Sequence, residues 1–252
     1  MSIRYARPAT VCLWVAALLW FGMALAASAQ NIYPVINSAF YPENQNEYLG
    51  VGAITQDTLG QMYIGFSGGV VEFDGRNRLL MTTDAPVLAL ETHMPTNRVY
   101  IGCTNSFGYL ARRADGKLAY TKLSVTTKDF SGMEEGFCKV LQDGQQIYFY
   151  YPHHLYIYDI NSLQTRVVKL GAAEKPSLGV CKIQNKIYIN LHDKGFCVLD
   201  GSTLKPVGDD HSLDLRRLMF YTPFSDKEAL IGTSSGQMFI SDGAGEAFAR
   251  AP

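Results

Sequence analysis

Short apolar runs recur along the chain and alternate with polar turn residues. The clearest are Met62-Tyr63-Ile64-Gly65, Val99-Tyr100-Ile101-Gly102, Ile147-Tyr148-Phe149-Tyr150, Ile187-Tyr188-Ile189-Asn190 and Ala229-Leu230-Ile231-Gly232. The steps between Ile64, Ile101, Phe149, Ile189 and Ile231 are 37, 48, 40 and 42 residues. Aromatic and β-branched runs bounded by Gly, Asp and Asn read as strands. Repetition of such strands at roughly 40–50 residues predicts an all-β propeller of four-stranded antiparallel blades, with about five blades present.

Each repeat divides alike. In the first, strands are expected at Val51–Gln56, Met62–Phe66, Val70–Asp74 and Arg78–Thr82, with Asp57-Thr58-Leu59-Gly60 as a turn. Asp can bond its own following backbone there, and Gly accepts positive φ. The second repeat predicts strands at Val87–Thr92, Arg98–Gly102, Phe107–Ala111 and Lys117–Leu123, and the third at Gly136–Leu141, Gln146–Tyr150 and Leu155–Asp159. The fourth predicts Leu178–Ile183, Lys186–Leu191 and Gly195–Leu199, and the fifth Arg217–Tyr221, Ala229–Thr233 and Gln237–Ser241. The corresponding blades span 48–84, 85–125, 131–170, 177–210 and 215–252. No segment sustains a helical period. An open arc of blades leaves two apolar faces uncovered, which predicts an incomplete ring belonging to a longer protein. A five-blade ring closed by residues 33–41 is the alternative.

Residues 1–29 stand apart. Arg4 and Arg7 precede an apolar run from Val11 to Ala26, and Ala27-Ser28-Ala29 offers a small-residue cleavage site before Gln30. This is the pattern of an export signal, and it predicts a periplasmic or secreted protein cleaved near Ala29-Gln30. Loss of the two arginines would take the formal net charge from −1 to −3, far from the basic footprint that nucleic acid requires. No second apolar span follows, so no membrane span is expected in the mature chain. The remaining cysteines, Cys103, Cys138, Cys181 and Cys197, permit two disulfides in an oxidising compartment. Their strand positions, equivalent between repeats for Cys138 and Cys181, favour separate buried thiols.

The first repeat carries a more specific pattern. Ile54-Thr55-Gln56-Asp57-Thr58-Leu59-Gly60-Gln61-Met62-Tyr63-Ile64-Gly65, then Gly69-Val70-Val71-Glu72-Phe73-Asp74-Gly75, resembles the two-component regulator propeller repeat. It is similar to the opening blade of periplasmic sensors that join such propellers to a triple-tyrosine domain and a signalling output. The family's frequent Trp after the first Asp-Gly is replaced by Arg76-Asn77-Arg78. The resemblance implies a ligand-sensing input region, no enzymatic activity of its own, no cofactor, and partners in further blades and signalling domains. It also leaves room for a homodimer and for a small-molecule or oligosaccharide ligand. A secreted interaction scaffold and a polysaccharide-acting enzyme are the alternatives.

Candidate chemistry lies in the loops. Gly65-Phe66-Ser67-Gly68-Gly69 has the form of a nucleophile elbow, but that motif needs a following helix, and Val70–Phe73 continues as a strand. His153 and His154 lie between the second and third strands of the third repeat, and His192 with Asp193 at the same place in the fourth. His211, with Asp209 and Asp210, lies in the connection after it, and Asn105 in the equivalent loop of the second repeat. These groups would share one rim. Imidazoles and carboxylates there suit a polar ligand better than a metal, and with Phe107 and Tyr151 nearby they suit a saccharide's hydroxyls and apolar ring faces. Glu134-Glu135 has no evident opposing acid for glycoside chemistry.

Overall fold

The computed structural model describes residues 50–251 apart from 77, 84, 115, 124–137, 172–173, 209 and 226. The export signal, residues 33–41, Asp209 and Glu134-Glu135 lie outside the described residues. All strands fall within the unit Tyr48–Pro252.

Five antiparallel four-stranded sheets follow one another in chain order, each a simple meander. Sheet 1 holds β1 (Val51–Gln56), β2 (Met62–Phe66), β3 (Gly69–Phe73) and β4 (Arg78–Thr82). Sheet 2 holds β5 (Val87–His93), β6 (Arg98–Cys103), β7 (Phe107–Arg112) and β8 (Leu118–Lys122). Sheet 3 holds β9 (Lys139–Asp143), β10 (Gln146–Tyr150), β11 (His154–Asp159) and β12 (Gln164–Lys169). Sheet 4 holds β13 (Gly179–Ile183), β14 (Lys186–Leu191), β15 (Gly195–Asp200) and β16 (Thr203–Pro206). Sheet 5 holds β17 (Leu218–Pro223), β18 (Ala229–Thr233), β19 (Met238–Ser241) and β20 (Phe248–Arg250). There is no helix among the described residues.

Three differences from the sequence reading have local causes. Gln142 and Asp143, left between the expected strands Gly136–Leu141 and Gln146–Tyr150, extend β9, because Asp143 pairs with Gln146 across a two-residue hairpin. His154, expected in a loop, opens β11 opposite Lys169. The outer strands β12, β16 and β20 had no counterpart in the sequence reading, since all three are largely exposed and carry no continuous apolar run.

The blades stack through side chains that leave alternate faces of each strand. Tyr63 and Val70 of sheet 1 meet Val87, Leu90, Val99 and Ile101 of sheet 2 in one buried cluster. Tyr100 and Phe107 of sheet 2 meet Val140, Phe149 and Tyr156 of sheet 3, with Phe107 and Phe149 stacked at 4.5 Å. Sheets 3 and 4 share Tyr150, Ile157, Val180 and Ile189, and sheets 4 and 5 share Cys181, Tyr188, Phe196, Ile231 and Phe239. Cys103, Cys138, Cys181 and Cys197 are buried, and none of them is in a disulfide. The turn after β1 forms as its residues dictate: Asp57 Oδ1 accepts from the Leu59 and Gln61 amides at 2.8 and 2.9 Å, and Gly60 takes φ +83°.

The ring is not closed. On the outer flank of sheet 1, Ile54, Ile64, Val71 and Leu80 align across all four strands, and Ile54 and Leu80 are each 57% exposed. On the far flank of sheet 5, Phe220 and Met238 are 46% and 41% exposed. Every other sheet face between these two is covered by a neighbouring blade.

Candidate functional site

Loops between second and third strands lie on one face of the arc, and turns between first and second strands on the other. Ser67-Gly68 is a tight hairpin between β2 and β3, as a strand continuation demands. Asn105 is exposed in the loop after β6. His153 stands in the loop after β10, with its backbone carbonyl accepting from Leu170 N at 2.9 Å and its Nδ1 buried. His154 packs its ring against Tyr156, 5.9 Å away. His211 is exposed and its Nδ1 meets Asp214 Oδ2 at 2.8 Å. Asp210 is used structurally: it accepts from the backbone amides of Ser212 and Phe248, both at 2.7 Å, tying the connection to β20.

His192 and Asp193 share a rim cavity of about 290 Å³ with Lys169, Lys175, Lys194, Leu170 and Leu204. Lys175 donates to Asp193 at 2.8 Å, and that hydrogen bond holds the carboxyl below its usual range. His192 Nδ1 lies 3.5 Å from the same carboxylate. Asn105, His153, His154 and His211 do not line this cavity. Among the described residues, no three His, Cys, Asp or Glu side chains converge at metal-binding distance.

A second concavity follows the axis. The innermost strands pack as β1 against β5, β5 against β9, and β13 against β17. Between them lies a cavity of about 450 Å³ lined by Ala53, Leu88, Ala89, Leu90, Val140 and Leu141, with Lys139 and Tyr221. A further cavity of about 530 Å³ is lined by Glu91, Gln142, Lys182, Gln184, Lys227 and Glu228, again with Tyr221. Gln142 donates its side-chain amide to Glu91 at 2.8 Å, and Lys182 donates to the Gln142 carbonyl at 2.9 Å and pairs with Asp143 at 3.1 Å. Burial raises the proton affinity of Glu91, against the pull of Gln142 and Lys182. Lys139 holds its ammonium 6.0 Å from the centre of the Tyr221 ring, and burial brings it down to about 8.

None of the axial residues stood out in the sequence, where each reads as an ordinary strand position. The signal available was polarity inside apolar repeats: Glu91 within Leu88–Thr92, and Lys139 and Lys182 within equivalent inner strands. His93 shows the opposite outcome. It is buried and satisfied, its ring nitrogens meeting Thr96 Oγ1 at 2.8 Å and the Gly144 carbonyl at 3.1 Å, so it joins sheets 2 and 3 structurally.

No family model and no curated protein matches the chain. Among solved structures, the chain is similar to the extracellular domain of a protein described as a hybrid two-component system from B. thetaiotaomicron, at 18% identity and TM-score 0.60, covering 82% of this chain and 28% of that one. A second such extracellular domain from the same organism matches at 15% identity and TM-score 0.57, over 79% of this chain and 29% of that one. The virginiamycin B lyase of Staphylococcus aureus matches at 12% identity and TM-score 0.60, over 82% of this chain and 71% of that one. The chain thus spans under a third of the length of the sensor domains it matches. No helix among the described residues is long and apolar enough to cross a membrane. The repeats therefore fold as propeller blades: an open arc of five, an architecture shared with bacterial sensor ectodomains and with propellers of other duties.

Proposed function

We propose that this chain is an extracytoplasmic ligand-sensing propeller, the input region of a bacterial two-component or related signal-transduction regulator. The observation that carries the reading is the match to extracellular domains of hybrid two-component systems over four-fifths of the chain. The uncovered flanks of sheets 1 and 5 support a place within a longer ring, whose further blades would bury Ile54, Leu80, Phe220 and Met238. Export by residues 1–29, with cleavage near Ala29-Gln30, puts the arc where an external solute can reach it.

On this reading the rim groups Asn105, His153, His154, His192, Asp193 and His211 are available to a small molecule or oligosaccharide, and the His192–Asp193 cavity is its best-formed seat. The chain supplies binding, and the chemistry of output belongs to other domains. Binding alters output only if the solute prefers one arrangement of blades or protomers over another. An interaction scaffold is the second reading, and the same exposed flanks favour it.

Two measurements test the sensing role. Alkaline phosphatase fused after residue 40 becomes active only if the leader exports it, and an inactive fusion removes the extracytoplasmic premise. A thermal-shift screen of the exported protein against polysaccharide hydrolysates and small solutes should raise Tm by several degrees for one ligand class. A flat response across the screen would favour the scaffold.

A further inference from the structure

The two axial cavities adjoin at Tyr221 and together follow the axis as a channel lined by consecutive residues of the same strands. Along β5 the lining runs Leu88, Ala89, Leu90 and then Glu91, and along β9 it runs Val140, Leu141 and then Gln142. Tyr221 borders both stretches and marks the change. The first is walled by hydrocarbon, with the Lys139 ammonium itself shut off from solvent. The second is polar and its ionic side chains balance: Glu91 and Glu228 against Lys182 and Lys227.

A wet channel with hydrocarbon walls is unfavourable, and an apolar ligand body relieves it. A saccharide would fit poorly, since its hydroxyls would face Ala53, Leu88, Leu90 and Val140 without partners. Balanced charges at the polar end do not select a net ion either. They select a group that carries both signs. Glu91 and Lys182 both contact Gln142, on its side-chain amide and its backbone carbonyl, so an anion and a cation are held side by side there.

We propose that the axial channel binds a zwitterionic amphiphile, an apolar α-amino acid or short apolar peptide, with its hydrocarbon between β1, β5 and β9 and its ammonium and carboxylate at Glu91 and Lys182. The proposal rests on the sensing reading only for its consequence, that such a solute is the signal.

Saturation-transfer NMR on the exported protein tests it, with L-leucyl-L-leucine as the probe and maltose as the comparison. Transfer should reach the leucyl methyls, and acetylating the α-amine or amidating the carboxylate should weaken binding at least tenfold. Glu91→Gln should lower affinity for the free dipeptide about tenfold while leaving the N-acetylated form unchanged, and Lys182→Met should do the same relative to the amidated form. Lys205→Ala, on the exposed outer strand β16, should change nothing. Equal binding of blocked and free dipeptide, transfer to maltose alone, no transfer at all, or loss of dipeptide binding in Lys205→Ala would each overturn the assignment. The outcomes separate the two readings. A hydrolysate that shifts Tm without any dipeptide response removes the channel site and leaves sensing intact. Dipeptide binding that leaves the output of the joined regulator unchanged supports the site and removes the sensing consequence.

Discussion

The same repeat position is solved in two ways in two pairs of neighbouring sheets, 1 with 2 and 3 with 4, here taken as two halves, while sheet 5 returns to glycine at Gly232. In sheets 1 and 2 the residue after the aromatic–Ile pair is Gly65 or Gly102; in sheets 3 and 4 it is Tyr150 or Asn190. In the first half the next blade presses directly on the glycine. A Cβ on Gly65 would come within 2.5 Å of Val87 Cγ1, and one on Gly102 within 2.3 Å of Cys138 Sγ. In the second half the side chain reaches past the sheet and grips the connection to the next blade. Tyr150 Oη meets Ser177 Oγ at 2.9 Å, and Asn190 Nδ2 donates to the carbonyls of Leu213 and Arg216 at 2.6 and 2.8 Å. Close approach in one half and a polar strut in the other hold equivalent blades in line.

The largest effect should come from the strut at Asn190, which is fully buried. Asn190→Leu keeps the volume but takes the donor from the buried carbonyl of Leu213 and the partly buried carbonyl of Arg216. A buried polar group left without a partner costs about 1–3 kcal/mol, so a loss of roughly 2–4 kcal/mol is expected in urea unfolding. Asn190→Asp should be no remedy, because a carboxylate has no proton to donate there. If the leucine variant unfolds within 0.5 kcal/mol of the parent, the strut is ornamental and the halves do not differ as described.

The glycine half breaks by a different route. Gly102→Val puts branched carbon where Cys138 Sγ and Val140 Cγ2 already sit, and overpacking of this kind costs about 1–3 kcal/mol. The comparison sharpens if Cys138→Ala is added: room made by removing the sulfur should recover part of the loss, a non-additivity measurable in a double-mutant cycle. No such recovery is expected for Asn190→Leu with Cys138→Ala.

Lys139 stands at the junction of the two halves, on β9, beside the Tyr221 ring and near Cys181. Its ordinary value is 10.5 and burial lowers it to about 8 in the folded chain. Below about pH 8 both folded and unfolded chains carry the proton, and the folded one bears the full cost of a buried charge. Between about 8 and 10.5 the unfolded chain binds more protons, so stability rises with pH across that window. Lys139→Met should accordingly stabilise the protein by about 1–3 kcal/mol at pH 7, with the gain fading between about pH 8 and 10.5. Urea titrations at pH 7 and 10.5 give both numbers. A gain independent of pH would assign the effect to packing.

What the sequence disclosed follows from which positions are periodic. Second strands such as Arg98–Cys103, Gln146–Tyr150 and Lys186–Leu191 sit between two others, are buried on both faces, and read as continuous apolar runs. Outer strands do not. In β12 only Val168 is buried, so Gln164–Lys169 carries no alternation to detect. Of the six rim residues, His192 and Asp193, neighbours in one loop, line a common cavity, and Asn105, His153, His154 and His211 do not line it. The axial channel was not. Glu91, Gln142, Lys182 and Tyr221 come from four different blades, and nothing local tells that their strands converge. Asn190 and Tyr150 were visible as departures from glycine, but the partners that explain them, two carbonyls and the Ser177 hydroxyl, lie 23–27 residues onward.

The smallest expected effect isolates the strut from the core it passes through. Tyr150 has no exposed surface and packs its ring with Leu155, Ile157, Val180 and Ile189, so its hydroxyl is a minor part of what it contributes. Tyr150→Phe removes only that hydroxyl. Ser177 Oγ still donates to the Pro152 carbonyl at 2.6 Å, so its partner is not orphaned. The cost should be about 0.5–1.5 kcal/mol, the net worth of one hydrogen bond. Opening of the 170–178 connection should also become easier, read as faster amide exchange at Ser177, whose N–H donates to the Pro152 carbonyl at 2.8 Å. Exchange unchanged at Ser177, with stability lost globally, would mean that the ring alone holds sheets 3 and 4 together. The strut would then be real only at Asn190.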